Sequence, residues 1–441
     1  MSAQAGQAAG RDVKSMRELH VLLIPSEEFV PRDNHLAGIF PFHQAKALRQ
    51  AGVRVGSISV RLALSVPMIA RAALLRVFGQ RPGNELDGVG FAGLARTLIA
   101  KLFHQDRFAE HEVVCGIKIV RVEGFYYYPP SLKRDWFGWV RGGTVAYEAY
   151  CREHGKPDVL HAHNLYPGGL LAHHLSRKLG IPFVVTEHSS WYGREMLPPA
   201  LMPRLLRAAL ASRSMLVVSP ALGEALAHKV GIPAAKLEAV PNVLDDLMVV
   251  SPSRRLPRSG DEIVFLSIGD LAPVKNQALL IAAFASAFGS DPRYRLRICG
   301  SGELLSELSA LVATLGIQAQ VSFPGRLSRE DVLFELDNCD AFVLSSDAET
   351  FGVVLIEALS RGRPVVATRA GGPDSIVEPE DGLLVPTGDH QAMAKALTEI
   401  ARTLPRYDAA VLRQRAIARF GGDAIAQRLI SIYEKAVHAV A

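Results

Sequence analysis

Two series of short β-branched runs alternating with helical stretches, interrupted once, constrain this 441-residue chain more than any other feature. The first series reads "LHVLLIP", a helix "GIFPFHQAKALRQAG" closed by Gly52, "VRVGSISV", then "DVLHAH", a helix from Gly168 to Leu179, "PFVVTEH", a helix near 200–211, "SMLVVS", a helix over 221–230 and "LEAVPN". Strands alternating with helices of roughly 10–15 residues predict a parallel sheet covered on both faces. "SPSRRLPRSGDE" (Ser251–Glu262) breaks the rhythm; its Pro, Ser and Arg suit a linker. The alternation then restarts with "EIVFLSIG", "NQALLIAAFASAFG", "YRLRICG", "ELLSELSALVATLG", "AQVSFPG", "REDVLFELDNC", "DAFVLSS", "RPVVAT" and "DGLLVP". The pattern predicts an α/β protein of two doubly wound domains. Ligands of such sheets sit beyond the carboxyl ends of the strands, so the expected site is the cleft between the domains.

The totals agree with two domains. Apolar residues make up 49% and charged residues 21%, near the average for a soluble globular protein. The net charge of +5 does not by itself indicate nucleic acid; it leaves anionic substrates or an anionic membrane face open. Cys115, Cys151, Cys299 and Cys339 lie far apart with no C-x-x-C pair, which predicts reduced thiols in a cytoplasmic protein. "MSAQAGQAAGRDVKSM" is polar and lacks the apolar stretch of a signal peptide, so residues 1–16 are expected to form a disordered tail. No apolar run reaches the roughly 18 residues of a spanning helix. Residues 61–107 fit neither sheet and carry Arg61, Arg71, Arg76 and Arg81 among large apolar residues. They read as an insertion helix packed on the first domain, or as a basic amphipathic helix lying on anionic lipid. Pro67 argues against one long helix.

"ETFGVVLIE" (Glu349–Glu357) carries the chemistry. The strand "DAFVLSS" ends near Ser346, which puts Glu349 in a strand-to-helix loop and the helix start near Phe351 or Gly352. The free N–H groups and positive dipole end of that first turn make a phosphate site. On position alone Glu349 is equally a carboxylate favoured beside a helix N-terminus. "FGVVLIEAL" is apolar on every face, so Glu357 belongs to a buried helix and needs a partner. The favoured reading of Glu357 is an acceptor for sugar hydroxyls; the alternative is a buried ion pair. His188 in "VVTEHSS" ends a strand facing the expected cleft, a satisfied core histidine being the equal alternative on position alone, and His163 in "HAHN" ends the neighbouring strand as a further candidate to line the cleft. The histidine spacing fits no common metal site.

Together these segments resemble the retaining glycosyltransferases of family four (glycosyl transferases group 1), which have the GT-B fold. The resemblance rests on E-x₇-E together with "VPNVLD" (Val240–Asp245), "SIGDLAPVKNQALLIAAF", "GSGE" (Gly300–Glu303), "VSFPGRLSREDV" and "RPVVATRAGGPDSIVEPEDGLLVPTGD". The terminal "FGGDAIAQRLISIYEKAV" resembles that family's closing helix, which crosses back to the first domain. The implied organisation is an N-terminal acceptor domain over 17–250, a linker over 251–262, a donor domain over 263–415 and a crossover helix over 416–441.

The resemblance implies roles by residue. Glu357 would hold ribose hydroxyls and Glu349 a hydroxyl of the donor sugar. The amides around Phe351, Gly352, Val353 and Val354 would cradle the diphosphate, which Lys275 would neutralise. Arg326 and Leu327 would border the base, Gly38 would face the diphosphate, and His188 would lie beside the donor sugar. Asp270 follows Gly269 where family members often carry arginine, a departure within the diphosphate clamp. "HLAGIFPFHQAKAL" and "VEGFYYYPP" resemble members that build cell-surface polysaccharides. The implied partners are a nucleoside diphosphate sugar and a saccharide or lipid-linked saccharide acceptor, with no nucleic acid, cofactor or metal. The implied place is the cytoplasm, with a weak peripheral contact at the inner membrane face. A sugar-nucleotide epimerase or a non-catalytic nucleotide-sugar-binding protein would share the donor site.

Overall fold

The computed structural model describes residues 18–30, 38–78, 80, 89–103, 109–126, 134–192, 196–251, 256 and 260–439. The expected tail over 1–16, Arg81 and most of the linker lie outside these residues.

The first sheet has eight strands: β1 (His20–Pro25), β2 (Arg54–Ser65), β3 (Ala109–Val114), β4 (Ile117–Tyr126), β5 (Val159–His163), β6 (Phe183–Glu187), β7 (Ser214–Val217) and β8 (Leu237–Ala239). Their spatial order is β3-β4-β2-β1-β5-β6-β7-β8, and every neighbouring pair is parallel except β3–β4. The second sheet has six parallel strands, β9 (Ile263–Ile268), β10 (Tyr294–Cys299), β11 (Val321–Gly325), β12 (Ala341–Leu344), β13 (Val365–Thr368) and β14 (Gly382–Val385), in the order β11-β10-β9-β12-β13-β14. β1, β5, β6, β12 and β13 are buried at every position, as in "HVLLIP" and "AFVL", because helices cover both faces.

The expectation for residues 61–107 is corrected. Arg61–Ser65 belong to the sheet, since β2 runs on to Ser65 and pairs with Glu123–Tyr126 of β4. The helices Val66–Val77 and Phe91–Phe103 follow, joined through a small core of Ile69, Ala72, Leu94 and Phe125. Pro67 interrupts nothing: it sits in the first turn, where its missing N–H has no helical partner to lose, and Ser65 caps that turn by accepting from the Met68 amide at 3.2 Å. The hairpin β3–β4 was not apparent from the sequence. It turns through Cys115 (φ 49°) and Gly116 (φ 75°), two left-handed residues of the kind that hairpin turns need, but Cys-Gly is not the usual Asn-Gly or Asp-Gly signal.

The crossover helix is also corrected. A helix over Ala409–Phe420 spans the expected boundary at 416, and the crossing helix is Gly422–His438. Ile425, Ala426, Leu429, Ile432, Tyr433 and Ala436 of that helix join Val21, Leu23, Ala45 and Leu48 in the core of the first domain. Tyr433 Oη lies 2.6 Å from His161 Nδ1 of β5.

A second tie joins the domains. Arg361 and Asp337, both buried, form a bidentate pair at 2.8 and 3.0 Å. Arg361 Nη1 also donates to the carbonyls of Met248 and Ser251 at 2.9 and 2.8 Å, anchoring the end of the first domain to the second. A buried pair of this kind is weak evidence of net stability, but removing one member strands the other charge.

Candidate active site

A cleft of 390 Å³ opens between the two sheets. Phe40, His188 and Asn242 line it from the first domain; Gly269, Asp270, Lys275, Arg326, Leu327, Glu349, Phe351, Gly352, Val353, Val354 and Glu357 line it from the second. It therefore gathers twelve of the fourteen residues singled out in the sequence. The other two are Gly38 and His163. A larger groove of 550 Å³ around Trp136, His173 and Arg204 contains none of them.

The helix at the floor of the cleft is Val353–Ser360, and its N-cap, Gly352, has φ 100°. This left-handed conformation turns the chain sharply from loop to helix and strains any residue with a Cβ. The loop before it is strapped on three sides. The Asp347 amide donates to the Val274 carbonyl, and Ser345 Oγ to the Lys275 carbonyl, both at 2.9 Å. The Glu349 amide donates to the Ala370 carbonyl and the Gly372 amide to the Glu349 carbonyl, again at 2.9 Å. Ser219 Oγ of the first domain donates to the Thr350 carbonyl at 2.6 Å. A Cβ on Gly372 would lie 2.4 Å from the Phe351 backbone, so glycine is required there for close approach.

Glu349 and Lys275 do not stand apart. Lys275 Nζ donates to Glu349 Oε1, which also accepts from Ser346 Oγ at 2.9 Å. Glu349 Oε2 has no hydrogen-bond partner among the described residues. An ammonium has three donors, so Lys275 can still serve phosphate oxygens while it holds Glu349. Glu357, 3% exposed, is also paired: Arg329 Nη2 lies 2.7 Å from its Oε1. The sequence reading favoured a hydroxyl acceptor over a buried ion pair; the structure shows the ion pair and also puts the same carboxylate on the cleft wall. Burial raises the Glu357 carboxyl above its ordinary range, and Arg329 pulls against that rise. Arg329 was missed because it lies 28 residues before Glu357 and nothing local marks it.

Asp270 is exposed at the cleft edge, and Gln277 Nε2 donates to its carbonyl at 2.9 Å. Opposite, Gly300 (φ 152°) would place a Cβ 1.9 Å from the Gly269 carbonyl oxygen, and Gly302 one 2.3 Å from that of Leu271. The glycines of "GSGE" thus let two loops meet.

Gly38 does not line the cleft. Its φ of 74° starts the helix Ile39–Gln50, and a Cβ there would lie 2.3 Å from the Glu28 carbonyl oxygen. It delivers Phe40, whose ring stacks on His188 at 6.1 Å. His163 is corrected too: it is 1% exposed and sits behind His188. Its Nδ1 lies 3.0 Å from His188 Nε2, while His188 Nδ1 lies 2.9 Å from Asn242 Oδ1. Alternation along the strands turns His161 and His163 to one side, where their rings stack at 4.5 Å. Burial lowers the His188 pKa to about 4, and the bond to Asn242 pulls the other way. His188 is therefore a neutral ring with both nitrogens engaged, and a proton-transfer role would require one of those bonds to break. Its loop hangs from Glu187, a fully buried carboxylate. Glu187 accepts from the amides of Leu165, His188 and Ser189 at 2.8–3.1 Å and from Tyr192 Oη at 3.2 Å. Burial raises its pKa to about 7, against the pull of those donors. Among the described residues the one group with metal-ligand geometry is His111, Glu153 and His154, outside the cleft.

These buried groups give a pH prediction. Burial lowers His20 and His188 to about 4 and His161 to about 3, and depresses His163 as well. Between pH 6.5 and 4 the unfolded chain binds protons at these rings and the native chain does not. Stability is therefore full above pH 6.5 and falls as pH drops through that window, by up to about 1.4 kcal/mol per pH unit for each ring. Glu187 works the opposite way between pH 7 and 4.5 but is outnumbered. Urea unfolding at pH 7, 6 and 5 should show a steep loss; a flat or rising profile would contradict the neutral-histidine account.

Comparisons with known proteins agree with this geometry. Residues 42–246 match the family described as Glycosyltransferase Family 4, and residues 253–410 match Glycosyl transferases group 1. The exopolysaccharide phosphotransferase of Streptomyces coelicolor is 32% identical over 53% of this chain and 24% of its own length. The mannosylfructose-phosphate synthase of Agrobacterium fabrum is 29% identical over 47% and 52%. The chain thus spans about a quarter and a half of the lengths of these two relatives. The D-inositol 3-phosphate glycosyltransferase of Frankia alni is 30% identical over 65% of this chain and 76% of its own length. Among solved structures, Anabaena HepE in complex with UDP and glucose superposes with a TM-score of 0.62 at 18% identity, covering 94% of this chain and 99% of that one. Sucrose-phosphate synthase of Thermosynechococcus elongatus gives 0.67 at 19%, covering 96% and 100%. These likenesses show the GT-B fold. With both halves matched in order and one relative aligned across most of its length, the chain belongs to the family four, group 1 glycosyltransferases.

Proposed function

We propose that the chain transfers a sugar from a nucleoside diphosphate sugar to an acceptor hydroxyl with retention of anomeric configuration. One observation carries the reading: a helix N-terminus opens on the cleft between two carboxylates, each held by a cation and each with one oxygen that has no partner among the described residues. The amides of Gly352–Val354 and Lys275 receive the diphosphate, Glu357 Oε2 the ribose, and Glu349 Oε2 the donor sugar. Glu349 is bonded to Lys275 and Ser346, which leaves it poorly placed as a nucleophile. A same-face displacement fits better, with the departing phosphate taking the acceptor proton and the helix terminus and Lys275 stabilising its charge. His188 and Phe40 wall the sugar side.

The acceptor is a saccharide or lipid-linked saccharide of polysaccharide or glycolipid biosynthesis. Relatives named as a lipopolysaccharide core glycosyltransferase and an N-acetylglucosaminyltransferase subunit for phosphatidylinositol support that class. Nucleotide release with and without candidate acceptors tests the reading. Release that needs an acceptor and persists in EDTA is expected. Epimerised donor without acceptor would indicate an epimerase, binding without release a non-catalytic protein, and rescue of EDTA-treated enzyme by magnesium or manganese a metal-held diphosphate.

The helices Val66–Val77 and Phe91–Phe103 are the proposed membrane contact. Leu74, Val77, Phe78, Phe91 and Ile99 are each more than half exposed there, interleaved with Arg71 and Arg96. No helix among the described residues is long and apolar enough to cross a membrane. Such a surface should bind vesicles rich in phosphatidylglycerol and lose binding with Leu74→Ser and Phe78→Ser. Equal sedimentation with neutral vesicles, or no loss in the variant, returns these helices to a packed insertion.

The two glutamates should fail differently. Glu357 touches a part of the donor that does not react, so Glu357→Gln should weaken the free nucleoside diphosphate about ten- to a hundredfold. Glu349 faces the sugar, which gains positive charge as its bond breaks. Glu349→Gln should lower kcat by a similar factor and leave nucleotide affinity nearly unchanged. Calorimetry and initial rates measure both; a reversed pattern would exchange the roles.

A further inference from the structure

Glu357 reaches the cleft as the last member of a chain of charges. Arg329 opens the helix Arg329–Asn338, and its Nη2 lies 2.7 Å from Glu357 Oε1 and 2.8 Å from Asp245 Oδ2. Asp245 belongs to the segment that leaves the first domain. Its Oδ1 accepts from the Leu247 amide at 3.0 Å and lies 3.6 Å from His43 Nδ1, on the helix Ile39–Gln50. The neighbouring Asp246 meets Lys46 Nζ at 3.0 Å and Gln50 Nε2 at 3.2 Å. His43, Asp245, Arg329 and Glu357 thus form one line from the first domain, through the connecting segment, to the donor side of the cleft. Both oxygens of Asp245 and one of Glu357 are taken. Among the described residues, Glu357 Oε2 is the carboxylate oxygen in this line without a partner.

We propose that Arg329 is a positioning residue of the donor site: it fixes Glu357 against the connecting segment so that Oε2 meets the sugar hydroxyls of the nucleotide. The inference rests on the reading of Glu357 as the ribose acceptor. Arg329 acts through charge as well as geometry. Burial and Asp245 both drive Glu357 toward its protonated form, and Arg329 is the cation that opposes them. Without it, Glu357 and Asp245 would face each other. On the first-domain side His43 stands 3.6 Å from Asp245, and burial holds that ring toward neutrality. Lys46 is committed to Asp246. One of the two carboxylates would take up a proton near neutral pH, because like charges at short range disfavour double ionisation. A neutral Glu357 is a weaker and wrongly patterned acceptor for a pair of hydroxyls. Lysine would supply the charge and the donors, but on a flexible stem without the fixed planar orientation of the guanidinium nitrogen.

The test titrates UDP, ADP and GDP calorimetrically into the wild-type chain, Arg329→Gln, Arg329→Lys and Glu357→Gln, with urea unfolding to confirm that each variant folds. For the diphosphate bound most tightly by the wild type, Arg329→Gln should weaken binding about tenfold or more at pH 7. Its affinity should then recover as pH rises from about 7 to about 9, above the phosphate's own second ionisation, as the carboxylate re-ionises. The wild type should be flat over that range, and Arg329→Lys should restore the flat profile with only part of the affinity. A purely structural role would not produce the pH dependence. If Glu357→Gln weakens binding and Arg329→Gln matches the wild type in affinity and pH profile, Arg329 is an interdomain strut and the proposal is overturned alone. If Glu357→Gln leaves affinity unchanged, the ribose reading falls and the proposal with it.

Discussion

The left-handed turn at Gly352 is the constraint on which the site depends. β12 must end and a buried helix must begin within eight residues, with the start of that helix aimed at the other domain. The bend is held because the loop's polar groups are taken by fixed neighbours. Those neighbours are the Val274 and Lys275 carbonyls on one side, Ala370 and Gly372 on another, and Ser219 from across the cleft. A loop anchored in this way cannot fold back to satisfy the first amides of the helix. They remain directed at the cleft, which makes it a site for an anion.

The charges around that terminus are arranged in pairs. Lys275 with Glu349 sums to zero and Arg329 is shared between Glu357 and Asp245, so the positive character at the floor of the cleft comes from the helix terminus, with Arg326 at the mouth. This balance suits a ligand with two kinds of polar group. In the proposed reading, the diphosphate would meet amides and ammonium protons, and the neutral sugars carboxylate oxygens already oriented by their cations. It also bears on Asp270. Because that side chain is exposed, solvent and salt screen its charge.

The two sheets and their cleft were legible because the inner strands of a doubly wound sheet are apolar on both faces, as in "HVLLIP" and "AFVL", and many helices begin or end at Gly or Pro, as at Gly52, Gly180 and Gly231. Reading failed where the signal was of another kind. The β3–β4 hairpin turns on Cys115-Gly116, and the extension of β2 through "RLALS" carries arginine at its edge, which matched a basic helix equally well. His163 was expected at the cleft because it ends a strand beside His188. Alternation instead sends its ring under His188, toward His161 and the crossover helix.

The sequence by itself determined that Glu349 and Glu357 flank a helix start near Phe351 or Gly352, and that the expected site lies between two domains. Those are consequences of local periodicity and of the conformations each residue tolerates. Only the tertiary structure decided the partners: Lys275 for Glu349, Arg329 for Glu357, Asn242 and His163 for His188. Each partner comes from a different element, many residues away, and a buried charge is satisfied by whatever packing brings within hydrogen-bond reach. Chain order carries no record of that distance until the sheets are stacked and the last helix has crossed back.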